Sequence, residues 1–563
     1  MKKIILSLLF ISFAFSQESY ILEINRLEIP FNNSGDFGNI TGYPGKEGKF
    51  DSTGFLHAAG FLLSGKNADT LWASGVAASS FIGDYQPGNV DSDPFDPRNN
   101  IYIVSEHAYD NSWQKWRYAV DLGAGFYDGD GDSVYNPIDK NGNGEWDKDE
   151  DRPDIIGDFT AWCVYNDGLS NHYGVLDGAP LGIEIHQTVF AFYMSDNSDA
   201  RSSTFFVRYK IINTGKVSDV LDSVYFSGWS DTDIGEVYWN DISGCDTIQN
   251  SGFMYNQGDD PGFGVNPPAH FVKILQGPYT YIPGETFIDN NSNGSFEEGV
   301  DTPVDTALNY MDEVRGIDTI VGAKNLGMTS FTQYYQALDP RSIEKVRYLM
   351  IGKNQSGDYV NPCTLFYGNV YGEDCNKVNP VYFFSGDPVT QNGWINTKYG
   401  DQRMMANTGP FKLEVDKPVT IIVAHIVGRG TDSLNSITVA REFSRDIDAF
   451  YKSNFTDFPV SVEYQNTNQL TLQFRLYQNY PNPFNPTTTI RYRIPETGLI
   501  TLKVYDILGR EVATLVNEEK TAGTYEIEFD SHSDKARNLT SGVYFYQLKV
   551  GLFVGTRKML LIK

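Results

Sequence analysis

Cysteine is scarce in this sequence, four in 563 residues, and no two form a CxxC pair. That spacing excludes an ordinary structural zinc site. Cys163 lies in the apolar string Phe159–Tyr165 and reads as a small buried hydrophobe. Cys363 and Cys375 flank a short loop, and a disulfide between them is open to the chain if it is exported. Positive charge is also short, with 44 basic residues against 72 acidic and a net charge of −28. No basic patch stands out, so nucleic acid is excluded as a partner. After residue 16 no segment approaches 18 apolar residues, the length a membrane-spanning helix needs. HExxH, GxSxG and P-loop patterns are all missing. The seven histidines are scattered, and Glu184 with His186, two apart on one strand face, reads as a structural contact. No carboxylate pair is marked out for glycoside hydrolysis.

What is present is aromatic and turn-rich: 35 Tyr, 36 Phe and 53 Gly, the composition of a folded chain. Its length suits two to four domains. Lys2 and Lys3, an apolar run from Ile4 to Phe15, and small residues Ala14 and Ser16 predict a secretory signal peptide over 1–16. Residues 17–125 read as a β-rich region of short strands between turns, such as Phe55–Leu63 and Thr70–Ile82. Residues 126–455 read as an acidic antiparallel β-sandwich body. Within it, Leu181–Tyr193 and Thr204–Ile212 alternate with period two. Phe205, Val207, Tyr209 and Ile211 share one face, and Arg208 and Lys210 share the other, which predicts one wet face. Asn213-Thr214-Gly215 turns the chain, and Val224–Trp229 is expected back as the hairpin partner. Pro418–Val427 reads as a strand. One late helix is expected, capped by Ser436 and carrying Ile437, Ala440, Phe443, Ile447 and Phe450. Residues 456–475 read as a linker. Trp113 and Trp116, with Tyr109 and Tyr118, are either a sugar-stacking platform or core, and core is favoured.

Asp139-Lys140-Asn141-Gly142-Asn143-Gly144-Glu145-Trp146-Asp147-Lys148-Asp149-Glu150 fits a calcium loop of the EF-hand pattern. Oxygen side chains fall at positions 1, 3, 5 and 9 (Asp139, Asn141, Asn143, Asp147). Gly144 turns the chain, Glu145 offers its carbonyl, and Glu150 closes the ring. Asp128, Asp130, Asp132 and Asn136 repeat the spacing just before it, with Asp139 at the closing position of that loop and Ser133 in place of glycine. Asp289, Asn291, Asn293 and Glu297 form a third loop, with Asp301 one place beyond the usual closer. No flanking helices are expected, so these are free-standing loops similar to those of thrombospondin type 3 repeats or dockerins. Calcium is the expected cofactor. Asp231, Asp233, Glu236 and Asp241 are spaced too loosely for a loop and read as a solvated acidic turn.

The last segment differs in charge: 476–563 holds 11 basic and 9 acidic residues, so the negative excess lies before it. Pro481, Pro483 and Pro486 impose extended chain at its start. Thr489–Ile494, Thr501–Tyr505, Tyr525–Phe529, Val543–Val550 and Lys558–Ile562 read as strands of a small Ig-like β-sandwich. Tyr480-Pro481-Asn482-Pro483-Phe484-Asn485-Pro486, Tyr505-Asp506 with Gly509-Arg510-Glu511-Val512, Ser541-Gly542-Val543-Tyr544 and the terminal Arg557–Lys563 follow in order. Together they resemble the type A C-terminal sorting domain of type IX (Por) secretion cargo. The resemblance implies export to the periplasm, passage through the outer membrane by the type IX machinery, removal of the domain, and either a lipopolysaccharide anchor or release. The body is also similar to one that recurs among such cargo, through Asp128–Pro137, Arg208–Gly215, Trp229–Gly235, Asn266-Pro267-Pro268 and Ser436–Phe455; that likeness carries no activity.

The expected function is therefore that of an exported, calcium-stabilised surface protein without catalysis, in adhesion, matrix or structure. A glycan-binding protein or glycoside hydrolase of the cell surface is the alternative, and a subunit of a surface layer comes third. The ligand would be a glycan or another surface protein.

Overall fold

Period-two alternation of β-branched and aromatic residues builds two large antiparallel sheets, one of 11 strands and one of 9. The computed structural model describes residues 18–38, 40, 47–77, 82–169, 176, 178–194, 196–312, 314–456, 475–476, 479, 484–494, 498–506, 510–520, 523–531, 539–550 and 553–561. The signal peptide, most of the linker and Tyr480–Pro483 lie outside them. The chain is mainly β, with 47% in strands and 11% in helices, and the described residues contain three α-helices and no barrel. It divides into two compact units, Met1–Pro459 and Val460–Lys563.

The strands that carry the first unit are β1 (Ala58–Asn67), β2 (Phe159–Asn166), β3 (Ile183–Ala191), β4 (Thr204–Asn213), β5 (Val220–Asp231), β6 (Ala269–Gln276), β7 (Ser330–Tyr335), β8 (Gln402–Glu414) and β9 (Val419–Gly428). The first sheet runs β7-β8-β5-β1 and continues into the N-terminal strands. The second runs β2-β3-β4-β9-β6, with short strands at both edges. Their facing sides supply one core: Phe61 and Phe226 from one sheet, Val207, Tyr209, Ile421 and Val423 from the other.

The predicted hairpin across Asn213-Thr214-Gly215 does not form. β4 pairs with β3 and β9, while β5 pairs with β1 and β8 in the other sheet. Both strands carry an apolar face, and these faces stack across the sandwich instead of lying edge to edge. A turn reverses the chain in either case, and burial of both faces selects the crossover.

Three helices cover the outer faces. α1 (Asn111–Asp121) was not expected, because residues 17–125 read as short strands between turns; the three-residue step of Trp113, Trp116 and Ala119 instead buries one helical face against Trp162 and Val164. α2 (Ile343–Met350) likewise packs Val346, Leu349 and Met350 on Trp229 and Met405. α3 (Ser433–Lys452) buries Ile437, Ala440 and Ile447 against Phe206, Phe271 and Ala424. Its N-cap is Asp432, which accepts from the Asn435 N–H at 2.8 Å, and not Ser436. Ser436 lies inside the helix, fully buried, donating to the Pro267 carbonyl at 2.8 Å.

The outer face of β3 and β4 is not wet, as the alternation had predicted. Arg208 is 9% exposed, and Glu184 and His186 are buried and joined at 2.8 Å. Trp113 and Trp116 are core residues. Cys363 and Cys375 form a disulfide, and Cys163 and Cys245 are buried free thiols.

The second unit contains a three-stranded sheet (Arg475–Leu476, Thr487–Ile494, Gly523–Asp530) and a four-stranded one (Glu511–Lys520, Gly498–Asp506, Gly542–Val550, Phe553–Leu561). Ile490, Tyr492, Leu502, Tyr546 and Met559 fill the core between them. Glu511–Lys520 is a strand missing from the sequence reading; the hairpin leading into it is held by Asp506, which takes the Arg510 N–H at 2.9 Å.

Candidate metal loops

Each acidic insertion is clasped at its base by a two-residue strand pair rather than by helices. Phe126–Tyr127 pairs with Arg152–Pro153 around the tandem loops, and Phe287–Ile288 pairs with Thr302–Pro303 around the third. The loops are thus held at fixed ends without an opening helix pair.

In the central loop, Asp139 accepts the N–H groups of Gly142 and Asn143 on Oδ1 (2.6 and 3.2 Å) and of Gly144 on Oδ2 (2.8 Å). This bends the chain around its first carboxylate. Gly142 and Gly144 have φ of 75° and 78°, a left-handed backbone that glycine adopts without strain. Asn141 and Asn143 bring their amides to Asp147 Oδ2, at 2.6 and 3.0 Å. Glu150, 1% exposed, accepts from Lys140 N–H (2.6 Å), Asp147 N–H (2.9 Å) and the Tyr109 hydroxyl. Burial pushes its carboxyl up, but these donors outweigh that and hold it below the usual range. The side chain of Glu145 is exposed, and its carbonyl accepts from the Tyr109 hydroxyl at 3.4 Å.

The third loop repeats this wiring. Asp289 Oδ2 takes the Gly294 N–H at 2.7 Å, and the amides of Asn291 and Asn293 meet Glu297 at 2.8 and 3.1 Å. Asp301 closes it, accepting from Asn290 and Glu297 N–H at 2.9 and 2.8 Å. These are the second and ninth positions, the same two N–H groups that Glu150 takes in its loop. An aspartate one residue later reaches as far as a glutamate with its extra methylene.

In the first loop Asp128 accepts from Gly131 and Ser133 N–H at 2.7 and 2.9 Å, and Ser133 takes the left-handed turn itself, with φ 63°. Its closing carboxylate is Asp151, not Asp139. Asp151 accepts from Gly129 and Asn136 N–H at 3.1 and 2.6 Å, again the second and ninth positions. Asp139 spends both oxygens on its own loop. Asp128, Asp130 and Asp151 place carboxylate oxygens within 4.8 Å of one another, and burial with Asp130 and Asp128 nearby raises the Asp151 pKa. Asp132 accepts from Val134 N–H at 2.7 Å, and Asn136 Oδ1 accepts from Arg117 of α1 at 2.8 Å. Sequence reasoning missed Asp151 because the second loop intervenes between it and Asp128; its adjacency to Glu150 was the only local signal.

Asp231, Asp233 and Asp241 do not form a solvated turn. Asp231 and Asp241 have no exposed surface, and Asp231, Asp233 and Asp401 bring oxygens within 4.8 Å of one another. Arg403, directly opposite Asp231 in the β5–β8 register, pairs with it at 2.7 Å and with Asp401. Burial lifts Asp231 and Asp241 well above the usual carboxylate range and Asp233 to about 6; Arg403 opposes this at Asp231 and Asp233.

No curated protein matches the chain. Among solved structures, the dimeric latent PorU from Porphyromonas gingivalis is 10% identical, over 64% of this chain and 32% of that one, with a TM-score of 0.15. The likeness is too small to carry a shared fold. Residues 478–563 match the secretion system C-terminal sorting domain, the segment that forms the second sandwich. The chain is therefore cargo of type IX secretion, released or attached at the outer cell surface.

Proposed function

We propose that the first unit is a non-enzymatic surface or matrix module whose three loops bind calcium and are stiffened by it. The observation that supports this best is the repeated closing contact: Glu150, Asp151 and Asp301 each take the N–H groups of the second and ninth residues of their loops. That contact folds each loop back towards its opening aspartate, and in the first loop Asp128, Asp130 and Asp151 bring carboxylate oxygens within 4.8 Å of one another, a start on the six to eight oxygen ligands calcium requires. Turning the amides of Asn141 and Asn143 would present oxygen where nitrogen now meets Asp147. Calcium supplies charge neutralisation and rigidity here, not chemistry. The strand-clasped bases would pass that rigidity to the sandwich.

The test is calorimetric titration of the purified chain with calcium, alongside thermal melting. Binding with dissociation constants of roughly 10⁻⁴ to 10⁻³ M is expected, as for extracellular modules. Absence of both heat and a melting shift at millimolar calcium would reduce these loops to acidic turns.

A further inference from the structure

A cavity of about 480 Å³ lies on the outer face of the second sheet. Its floor is largely polar: His186 and Thr188 of β3, Arg208 and Lys210 of β4, and Thr420 of β9. Further along the same strands, Phe190, Phe206, Ala424 and Ile426 sit under α3. The walls come from the stems of the two loop insertions. Gly123, Gly125 and Asp154 flank the tandem loops, while Tyr279, Tyr281 and Met311 flank the third. Tyr281 stacks on Phe296 of that third loop, with ring centroids 5.5 Å apart.

The cavity's charge runs against the chain's. Arg208, Lys210, Arg315 and Lys417 line it, against Asp154 and Asp318, in a chain of net charge −28. Three of these cations are answered. Arg208 and Arg315 share the Asp154 carboxylate, and Lys417 pairs with Glu414 at 2.5 Å. Lys210 makes no hydrogen bond or ion pair among the described residues. Burial pulls its pKa down, and Arg208 and Arg315 push the same way against the pull of Asp154 and Glu184. The nearby carboxylates are already engaged, Asp154 by Arg208 and Arg315 and Glu184 by His186. A half-buried ammonium with no anion of its own is therefore costly to hold, and a group that supplies one is bound in proportion. The Asn309 amide and the Thr420 hydroxyl line the same space, and Tyr279 and Tyr281 add aromatic surface. A volume of this size takes a mono- or disaccharide rather than a bare ion.

We propose that this cavity binds an acidic saccharide, its carboxylate or sulfate against Lys210 and its ring against the tyrosines. The proposal does not rest on the loops holding calcium. The test is calorimetric titration of the full chain in millimolar calcium with digalacturonate, a sulfated galactose disaccharide and neutral galactobiose. Binding of one or both acidic sugars, none of galactobiose, and about ten- to hundredfold weaker binding by Lys210→Met would support the site. The two acidic arms tell carboxylate from sulfate. Lys216→Met, which removes an exposed lysine paired with Asp91, should bind as the unaltered chain does. Should Lys210→Met fail to fold, amine acylation read by mass spectrometry on the unaltered chain serves instead, with Lys210 protected by the acidic sugar and Lys216 not. Failure of both acidic sugars to bind, equal binding by Lys210→Met, absence of protection, or full displacement by acetate or sulfate at equal concentration would overturn the proposal.

Discussion

The body houses negative charge in two opposite ways. In the loops, Asp128, Asp139 and Asp289 lie at the surface and spend their oxygens on N–H groups three to five residues ahead. In the sandwich, Asp231 has no exposure and depends on Arg403, brought beside it by strand pairing. The first arrangement is built by local sequence and leaves charge to be balanced from solvent. The second is balanced from within the fold, by a guanidinium that only the register supplies. Similar carboxylates should thus respond to different perturbations, added metal in one place under the proposed function and a change of tertiary structure in the other.

The largest effect should come from Arg403→Met. Removing the cation leaves the buried Asp231 unpaired beside the half-buried Asp233 and Asp401, a loss of roughly 3 to 5 kcal/mol by denaturant unfolding, with or without calcium. If the loss vanished on chelation, the two groups would not be separate. Next comes calcium itself. At about 10 to 100 times its dissociation constant it should add roughly 1.4 to 2.7 kcal/mol for each loop that binds, reversed by chelator. Asp151→Asn should reduce this gain as Asp139→Asn does, whereas Asp132→Asn should do less; equal effects of all three would contradict Asp151 as a closer.

A smaller effect separates the groups by pH. Asp233 sits at about 6 in the fold against 3.8 ordinarily, so the folded state holds a proton that the unfolded chain releases. Its contribution is full below pH 3.8 and is lost as pH rises through 6. Acidifying from pH 7 to 5 in chelator should therefore gain on the order of 1 kcal/mol from this group. His425, buried and held down to about 3, works the other way, since the unfolded chain takes up a proton near 6.5 that the fold refuses. Comparing Asp233→Asn with the unaltered chain isolates the first term; identical pH slopes would refute it.

The loops were legible because their chemistry is local. Asp139, Asn141, Asn143, Gly144 and Glu150 occupy a spacing that turn geometry demands. Asp301 was legible as an oddity, and the structure explains it by reach. Asp151 was not, since a whole loop separates it from the residues it serves. On β3 and β4, the inward set Ile183, Ile185, Val207 and Tyr209 could be read from alternation alone. The outward set of Glu184, His186, Arg208 and Lys210 gave the same signal as a solvent-facing row. Whether a polar face is wet or covered depends on what packs above it, here α1, α3 and the 306–321 hairpin. Alternation reports that two faces differ and is silent on the neighbour.

Residue order by itself determined the loop spacings, the strand periodicity and the C-terminal sorting domain, because each is set by contacts within a few residues or by motifs in sequence. The tertiary structure alone decided that β4 and β5 stack rather than pair, that Arg403 answers Asp231, and that Lys210 faces a cavity with no bonded partner among the described residues. Those outcomes depend on burying apolar faces from distant strands together, and the charged residues between them go where that packing puts them.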